Sequence, residues 1–221
     1  MNILNSPEVA AVLEREHNAA KAQRIQRLAN SAPKGKSPQR PDFRTSEMHK
    51  TNYLSIGPTQ GRWLFAQAVA CKAQEIVEFG TSFGISTLYL AAAATENKGR
   101  VTGTEFHPEK AEKARRNLAE AGLAATILTG DARETLAVDG PKIDLLFLDG
   151  ANELYLPILE MLLPRLGGGS VVIADNIPVS EEERRENAAS GFDAYLNRPE
   201  HQFVTSVLGF GKGGMSFSVK L

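Results

Sequence analysis

The stretch VEFGTSFGIST, residues 77–87, decides the fold, because it joins a short apolar strand to a helix through two glycines. Gly80 and Gly84 let the backbone bend sharply and approach a ligand closely. The spacing is Glu-x-Gly-x-x-x-Gly, which differs from the Gly-x-Gly-x-x-Gly of dinucleotide sites. Ligands of open α/β sheets bind outside the carboxyl ends of the strands, so we expect a binding site at this junction.

Outward from this junction, strands and helices alternate along the chain. Strands are predicted at residues 75–79, 100–105, 125–129, 143–149 and 170–175. Such alternation favours a parallel sheet covered on both faces. Two further strands, 201–207 and 215–220, flank the short glycine-rich segment Gly209–Gly214, and so short a loop permits only an antiparallel hairpin. The sequence therefore predicts an α/β fold that is Rossmann-like and doubly wound. Its mostly parallel seven-stranded sheet is closed by a C-terminal antiparallel hairpin and carries helices on both faces.

Length and composition fit one globular domain with a short extra segment. The chain has 221 residues, 42% hydrophobic and 23% charged, and a net charge of −1. This charge gives no general field for polyanions, so no nucleic-acid partner is expected. No run approaches the roughly 18 apolar residues of a membrane span, and the polar N-terminus lacks a signal-peptide core. We therefore expect a cytoplasmic protein without a membrane partner.

The N-terminal 50 residues are expected to stand apart from a domain formed by residues 51–221. Ser6-Pro7-Glu8 combines a capping hydroxyl, a proline at the first helical position and an acid in the first turn, which predicts a helix to about Asn30. The segment Ser31–Lys50 is basic and rich in proline, and we interpret it as a mobile arm. It is either a solvated linker or a lid over the site.

Acidic residues end the first three strands and indicate a nucleoside site. Glu78 could bind an ammonium group, and Ser82 and Ser86 lie near a helix N-terminus, which suits a carboxylate. Glu105 ends the second strand, where a ribose diol could be gripped. Asp131 ends the third strand, where an adenine amino group would lie. The alternative is that Glu105 and Asp131 cap the helices that follow them.

Hard oxygen ligands follow the fourth and fifth strands. Asp149 ends one strand, and Asp175 and Asn176 end the next. Adjacent strands lie about 4.8 Å apart, so these groups should converge at one edge of the sheet. Two carboxylates and an amide oxygen suit Mg²⁺ or Ca²⁺. The alternative is again that the acids cap helices.

Together these motifs resemble one known family. Residues 48–176 are similar to the S-adenosylmethionine (SAM)-dependent O-methyltransferases of the catechol and caffeoyl-CoA type. The matching segments are Tyr53–Gly61, the glycine loop, Thr104-Glu105, Gly130-Asp131-Ala132, Leu148-Asp149-Gly150 and Ala174-Asp175-Asn176. The resemblance implies methyl transfer from SAM to a hydroxyl of a small acceptor, expected to be aromatic and catechol-like.

The resemblance also implies roles for individual residues. Glu105 would bind ribose, Asp131 would lie beside adenine, and Ile56 and Gly80 would line the cofactor cleft. Phe106, Ala132 and Asp149 complete the expected cofactor-binding set. Asp149, Asp175 and Asn176 match the family's divalent-metal ligands. Relatives are often dimers, and the N-terminal helix carries an apolar stripe, so we expect a homodimer.

One departure from the family pattern concerns the catalytic base. Relatives usually carry a lysine three residues after the first metal aspartate, Asp149, and this sequence has Asn152 there. An amide cannot accept a proton at neutral pH, so His49 or Lys50 is the alternative base, unless the metal suffices alone or the substrate class differs. Two other hypotheses stay open: a metal-independent methyltransferase, and a SAM-binding module with reduced activity. The glycine spacing and terminal hairpin argue against an NAD oxidoreductase.

Overall fold

The computed structural model describes residues 2–30, 42–187, 189–211 and 213–221. Its seven strands lie in the order β3-β2-β1-β4-β5-β7-β6. Their bounds are β1 Glu75–Phe79, β2 Arg100–Glu105, β3 Thr126–Thr129, β4 Ile143–Leu148, β5 Leu166–Ala174, β6 Phe203–Phe210 and β7 Gly213–Lys220. Strands β1 to β5 are parallel, whereas β7 pairs antiparallel with both β5 and β6. The predicted fold class is confirmed.

Among the described residues, three α-helices precede β1, and the others connect successive strands from β1 to β6. Their bounds are α1 Pro7–Ala29, α2 Glu47–Thr51, α3 Pro58–Ala70, α4 Ile85–Asn97, α5 Pro108–Glu120, α6 Ala132–Thr135, α7 Tyr155–Leu162, α8 Glu181–Glu186 and α9 Ser190–Leu196. None of these described helices is both long and apolar enough to cross a membrane.

The core lies on both faces of the sheet, because successive strand residues point to opposite sides. One cluster joins Ile76, Leu145 and Phe147 to side chains of α1, α3 and α4. The other joins Leu146 and Leu148 to side chains of α6, α7 and α9. The central strand β4, Ile143–Leu148, is accordingly almost entirely apolar, as expected for a strand buried on both faces.

The strand bounds differ from the sequence prediction at β5 and at the C-terminal hairpin. Between β5 and β6 the chain forms two helices, α8 and α9, and the Asn187 side chain accepts the backbone N–H of Ala189 between them at 2.9 Å. Strand β5 begins at Leu166 rather than residue 170, because Leu166 already pairs with Ile143. The C-terminal strands extend to Phe210 and Gly213, which shortens the predicted loop.

The N-terminal segment is attached to the core where it is described. Val9, Val12 and Leu13 of α1 are buried in the cluster shared with α4. Further along α1, Ile25 and Leu28 are 59% and 64% exposed. Residues 31–41 of the predicted basic arm lie outside the described residues, whereas its end forms helix α2.

Candidate functional site

A cavity of about 790 Å³ lies at the carboxyl ends of the parallel strands. This volume falls within the range of small-molecule sites. Its walls include residues that end or follow β1 to β5: Gly80, Ser82, Glu105, Phe106, Gly130, Asp131, Ala132, Asp149–Leu154, Asp175 and Asn176. The chain thus brings most of the predicted site residues, from distant parts of the sequence, into one place.

The glycine loop between β1 and α4 follows a path that its glycines require. Gly80 has φ +97°, and a Cβ there would lie 2.6 Å from the carbonyl oxygen of Asp149. Gly84 has φ +88°, and a Cβ there would lie 3.0 Å from the Cβ of Ala114. Both positions therefore exclude larger residues by conformation and by space. The loop passes close to β4 and leaves Gly80 and Ser82 on the cavity wall.

Glu105, at the end of β2, holds the glycine loop and the residue before α5 by hydrogen bonds. Its carboxylate accepts the backbone N–H of Ser82 at 2.7 Å and that of His107 at 2.8 Å. The side chain is 8% exposed and lines the cavity. One bond to each oxygen leaves further lone pairs free, so this carboxylate can also accept bonds from a ligand. Helix capping does not account for Glu105, because His107 and not Glu105 occupies the cap position of α5.

Asp131, which follows β3, is held by contacts with the helix after it. Its side chain caps α6 by accepting the backbone N–H of Arg133 at 3.0 Å, and it also lines the cavity. The guanidinium of Arg133 donates to the same carboxylate at 2.6 Å and 3.0 Å. These hydrogen bonds lower the pKa of Asp131 to about 2. The group is therefore a fixed anion near neutral pH.

Three predicted cofactor residues do not reach the cavity wall. Glu78 is fully buried and accepts bonds from the hydroxyls of Thr81 at 2.9 Å and Thr87 at 2.5 Å. Burial raises the pKa of its carboxyl. Ser86 is buried within α4, and Ile56 lies in the hydrophobic core. None of these three side chains lines the cavity, and Glu78 Oε1 finds no hydrogen-bond partner among the described residues, so their assignment to the cofactor stays a prediction. Near Ile56, the cavity is lined instead by Leu54 and Ser55.

Asp149, Asp175 and Asn176 converge at one edge of the cavity. The side-chain amide of Asn176 donates to Asp149 Oδ1 at 3.4 Å, and Gln60 donates to Asp175 Oδ1 at 2.8 Å. Neither acid caps a helix, because Ala151 and Ser180 occupy the next cap positions. The helix-capping alternative is therefore wrong for this pair.

The electrostatics of this acidic pair suit a cation. Burial raises the pKa of Asp175 to about 6. Burial and then repulsion by Asp175 raise the pKa of Asp149 well above its usual range. A bound cation would relieve both effects, and two carboxylates with the amide oxygen of Asn176 form a hard donor set. Among the described residues, no cluster of three or more His, Cys, Asp or Glu side chains is positioned to bind a metal.

The structure separates the candidates for the catalytic base. Asn152 and His49 line the cavity, and their buried Nδ2 and Nδ1 atoms find no hydrogen-bond partner among the described residues. Lys50 is exposed and is absent from the cavity wall. Burial, followed by the nearby charges of Lys110 and His107, lowers the pKa of His49.

Lys110 is a cavity residue that the sequence interpretation missed. Its side chain is 2% exposed, its ammonium lies 5.0 Å from the ring centre of Phe83, and burial lowers its pKa. Helix α5 buries Lys110, Ala111, Ala114, Asn117 and Leu118, which recur at helical spacing. A polar residue on the apolar stripe of an amphipathic helix is a signal that could have identified it.

Comparisons with known proteins identify relatives of this chain. A family model described as "Methyltransferase domain" matches residues 77–177. The catechol O-methyltransferase of Niastella koreensis is 33% identical over 157 residues, which cover 65% of this chain and 70% of the relative. The catechol O-methyltransferase of Mycobacterium tuberculosis is 34% identical over 127 residues, which cover 56% of this chain and 57% of the relative. The chain thus spans little more than half of that second relative's length.

Solved structures show the same fold. Cofactor-bound Rv0187 from MTB superposes with a TM-score of 0.69 at 24% identity, covering 97% of this chain and 90% of that one. The O-methyltransferase from Bacillus cereus in complex with SAH gives a TM-score of 0.66 at 23% identity, covering 92% of this chain and 100% of that one. Given the sequence relatives, the motifs and the fold, the chain belongs to the SAM-dependent O-methyltransferases of the catechol and caffeoyl-CoA type.

Proposed function

We propose that this protein transfers the methyl group of SAM to one hydroxyl of a small, catechol-like acceptor, with help from a divalent cation. The observation that carries the proposal is the meeting of two kinds of group in one cavity. The acids Glu105 and Asp131 suit a nucleoside, and Asp149, Asp175 and Asn176 suit a cation that chelates vicinal oxygens. The names of the two catechol O-methyltransferase relatives support this acceptor class.

The cofactor would lie along the carboxyl ends of β1 to β4. We assign the ribose diol to Glu105 and the adenine edge to Asp131, with Phe106 and Ala132 beside the base. The amino-acid end would approach the glycine loop at Gly80 and Ser82, beside Asp149. All these residues line the cavity, which supports the arrangement.

The cation site would be held by Asp149, Asp175 and Asn176. A divalent cation bound there would lower the pKa of an acceptor hydroxyl. The chain itself orients the ligands, because Gln60 donates to Asp175 and fixes the direction of its carboxylate. Orientation of this kind matters, because methyl transfer depends on alignment of the reacting atoms more than on covalent catalysis.

Product analysis tests the proposed reaction. The protein is incubated with SAM and a panel of catechols, matched monophenols and hydroxycinnamoyl thioesters, with Mg²⁺ or with EDTA. We expect monomethylated products from acceptors with vicinal hydroxyls and loss of product with EDTA. Equal turnover with EDTA would favour a metal-independent methyltransferase. SAM binding without any product would favour the module with reduced activity.

We propose His49 as the group that accepts the acceptor's proton. Its lowered pKa keeps the imidazole neutral at pH 7, and its unpartnered Nδ1 is available for a proton. Asn152 would instead donate a hydrogen bond to an acceptor oxygen. Lys50 lies outside the cavity wall, so His49 is the favoured one of the two alternatives.

His49→Gln should lower kcat about tenfold, which is less than usual for a base because the cation assists deprotonation. Rates fall at low pH where a base is protonated, so the variant should also lose the acid limb of its pH–rate profile. Lys50→Gln is the matched control and should keep the wild-type kcat and the acid limb of the profile. An unchanged profile for His49→Gln would contradict the assignment.

Asn152→Lys should change the rate only modestly, by less than about fivefold, if His49 already serves as base. Steady-state rates with a catechol acceptor measure this directly. A gain of orders of magnitude would mean that the natural protein lacks an efficient base, and the hypothesis of a SAM-binding module with reduced activity would gain.

The remaining sequence predictions concern the N-terminal residues, assembly and location. The lid hypothesis for Ser31–Lys50 stays a prediction, as do the division at residue 50 and the cytoplasmic location. Deletion of residues 1–45 would not test a lid alone, because it removes the buried side chains of α1.

We propose a homodimer that covers Ile25 and Leu28, and light scattering at micromolar concentration should give twice the chain mass. A monomer mass would refute it.

A further inference from the structure

Helix α1 carries a buried carboxylate that binds three neighbouring side chains. Glu16 is 2% exposed. It accepts hydrogen bonds from the hydroxyl of Tyr53 at 2.6 Å, the ammonium of Lys113 at 2.9 Å and the guanidinium of Arg15 at 3.0 Å. These bonds lower the pKa of Glu16 although burial acts to raise it. The group is therefore a buried anion with its partners fixed around it.

We refer to Glu16 and its partners Tyr53, Lys113 and Arg15 as the hub. The hub contacts the glycine loop through aromatic rings. The ring of Tyr53 lies 4.5 Å from that of Phe83, centre to centre, and Phe83 belongs to the loop between Gly80 and Gly84. The ammonium of Lys113 lies 4.8 Å and 4.9 Å from the same two ring centres. Leu54 and Ser55, which directly follow Tyr53, line the cavity. The hub thus contacts Phe83, which directly follows the cavity residue Ser82, and is continuous in the chain with Leu54 and Ser55.

Side chains of α1 also form hydrogen bonds that lead to backbone groups of the glycine loop and of the segment at the end of α2. Arg15 donates to the side chain of Asn117 at 2.8 Å, and Asn117 donates to the carbonyl oxygen of Phe83 at 2.9 Å. Gln23 accepts the backbone N–H of Tyr53 at 2.7 Å and donates to the carbonyl of Thr51 at 3.1 Å. Thr51 ends α2, the helix that carries His49.

Stability alone gives little reason for such a hub. Val9, Val12 and Leu13 already anchor α1 by apolar burial. Taking charges out of water is costly, and apolar replacements of buried ion pairs are often neutral or stabilising. A hydrogen-bonded carboxylate differs from an apolar contact because it fixes the direction of each partner.

We propose that Glu16 is a positioning residue for the cofactor half of the cavity. It holds Tyr53 against Phe83 and so keeps the glycine loop and the Leu54–Ser55 wall in their binding conformation. The inference rests on the proposed function, in which this cavity binds SAM. It makes the carboxylate of Glu16 part of the binding machinery, although no residue of α1 lines the cavity as described.

Titration calorimetry with S-adenosylhomocysteine (SAH) tests this role. Tyr53→Phe keeps the ring on Phe83 and removes only the hydroxyl, and Glu16→Gln keeps the size and removes the charge. Each should raise the SAH dissociation constant about fivefold to tenfold, which is the worth of one hydrogen bond. The KM for SAM should rise by a similar factor, with a smaller fall in kcat. Val12→Ala, which weakens α1 packing alone, should lower the melting temperature without this loss of affinity.

The double variant identifies the coupling. Glu16→Gln weakens the hydrogen bond between Tyr53 and residue 16, and Tyr53→Phe removes it, so together they should weaken SAH binding no more than the worse single variant. Additive losses, unchanged SAH affinity in both single variants, or an equal loss in Val12→Ala would overturn the proposal. Failure of the wild-type protein to bind SAH would instead refute the proposed function, so the two failures are distinguishable.

Discussion

Asp149→Asn is expected to reduce methyl transfer by about 100-fold or more, since even residues behind the ligands of a metal site can be worth 10- to 100-fold. Asp149 lies between the cofactor and cation regions of the proposed site, and the amide of Asn176 approaches it at 3.4 Å. Replacement by an amide keeps the shape but removes one of two carboxylates. Both cation affinity and alignment of the acceptor should therefore suffer.

Thermal stability distinguishes this role from a structural one. Burial and repulsion by Asp175 raise the pKa of Asp149, so the native state holds this acid at a cost near neutral pH. Neutralising Asp149 should leave the melting temperature unchanged or higher. Asp139→Asn makes the same substitution at an exposed acid and should leave activity intact. A large loss of stability in Asp149→Asn, with activity preserved in the folded fraction, would remove Asp149 from the site.

Much of the fold follows from local sequence signals. Glu105 and Asp131 both line the cavity, because parallel strands bring their carboxyl ends to one edge of the sheet. The glycine spacing identified the first junction, and Gly80 and Gly84 both have positive φ. These features depend on period and backbone conformation, which neighbouring residues largely determine.

Other features depend on partners distant in the chain. Glu78 is an example, because the hydroxyls of Thr81 and Thr87 both donate to its Oε2 in the interior, a pair of contacts that the strand pattern does not predict. The sequence does not show which side of a wall a strand-end acid will face. The same applies to Glu16, whose partners Tyr53 and Lys113 lie 37 and 97 residues away along the chain. Buried polar networks of this kind are specified by tertiary packing rather than by periodicity.

Glu105→Ala should weaken SAH binding by about 100-fold, because it removes a proposed ribose acceptor and leaves two buried donors unpaired. Those donors are the backbone N–H groups of Ser82 and His107, both now satisfied by this carboxylate. Glu105→Gln keeps one acceptor oxygen and should lose less. Asp131→Asn should also lose less, because Arg133 already occupies much of that carboxylate.

Two causes could produce the loss in Glu105→Ala, and a modified ligand separates them. If Glu105 grips the ribose, a 2′-deoxyribose analogue of SAH should bind the wild type more weakly than SAH does, and Glu105→Ala should bind the two ligands almost equally. If Glu105 acts only by holding Ser82 and the glycine loop, the variant should still prefer SAH to the analogue by the wild-type factor. The ribose assignment requires the first pattern. Equal SAH affinity in wild type and Glu105→Ala would exclude both roles, because each depends on a carboxylate at the end of β2.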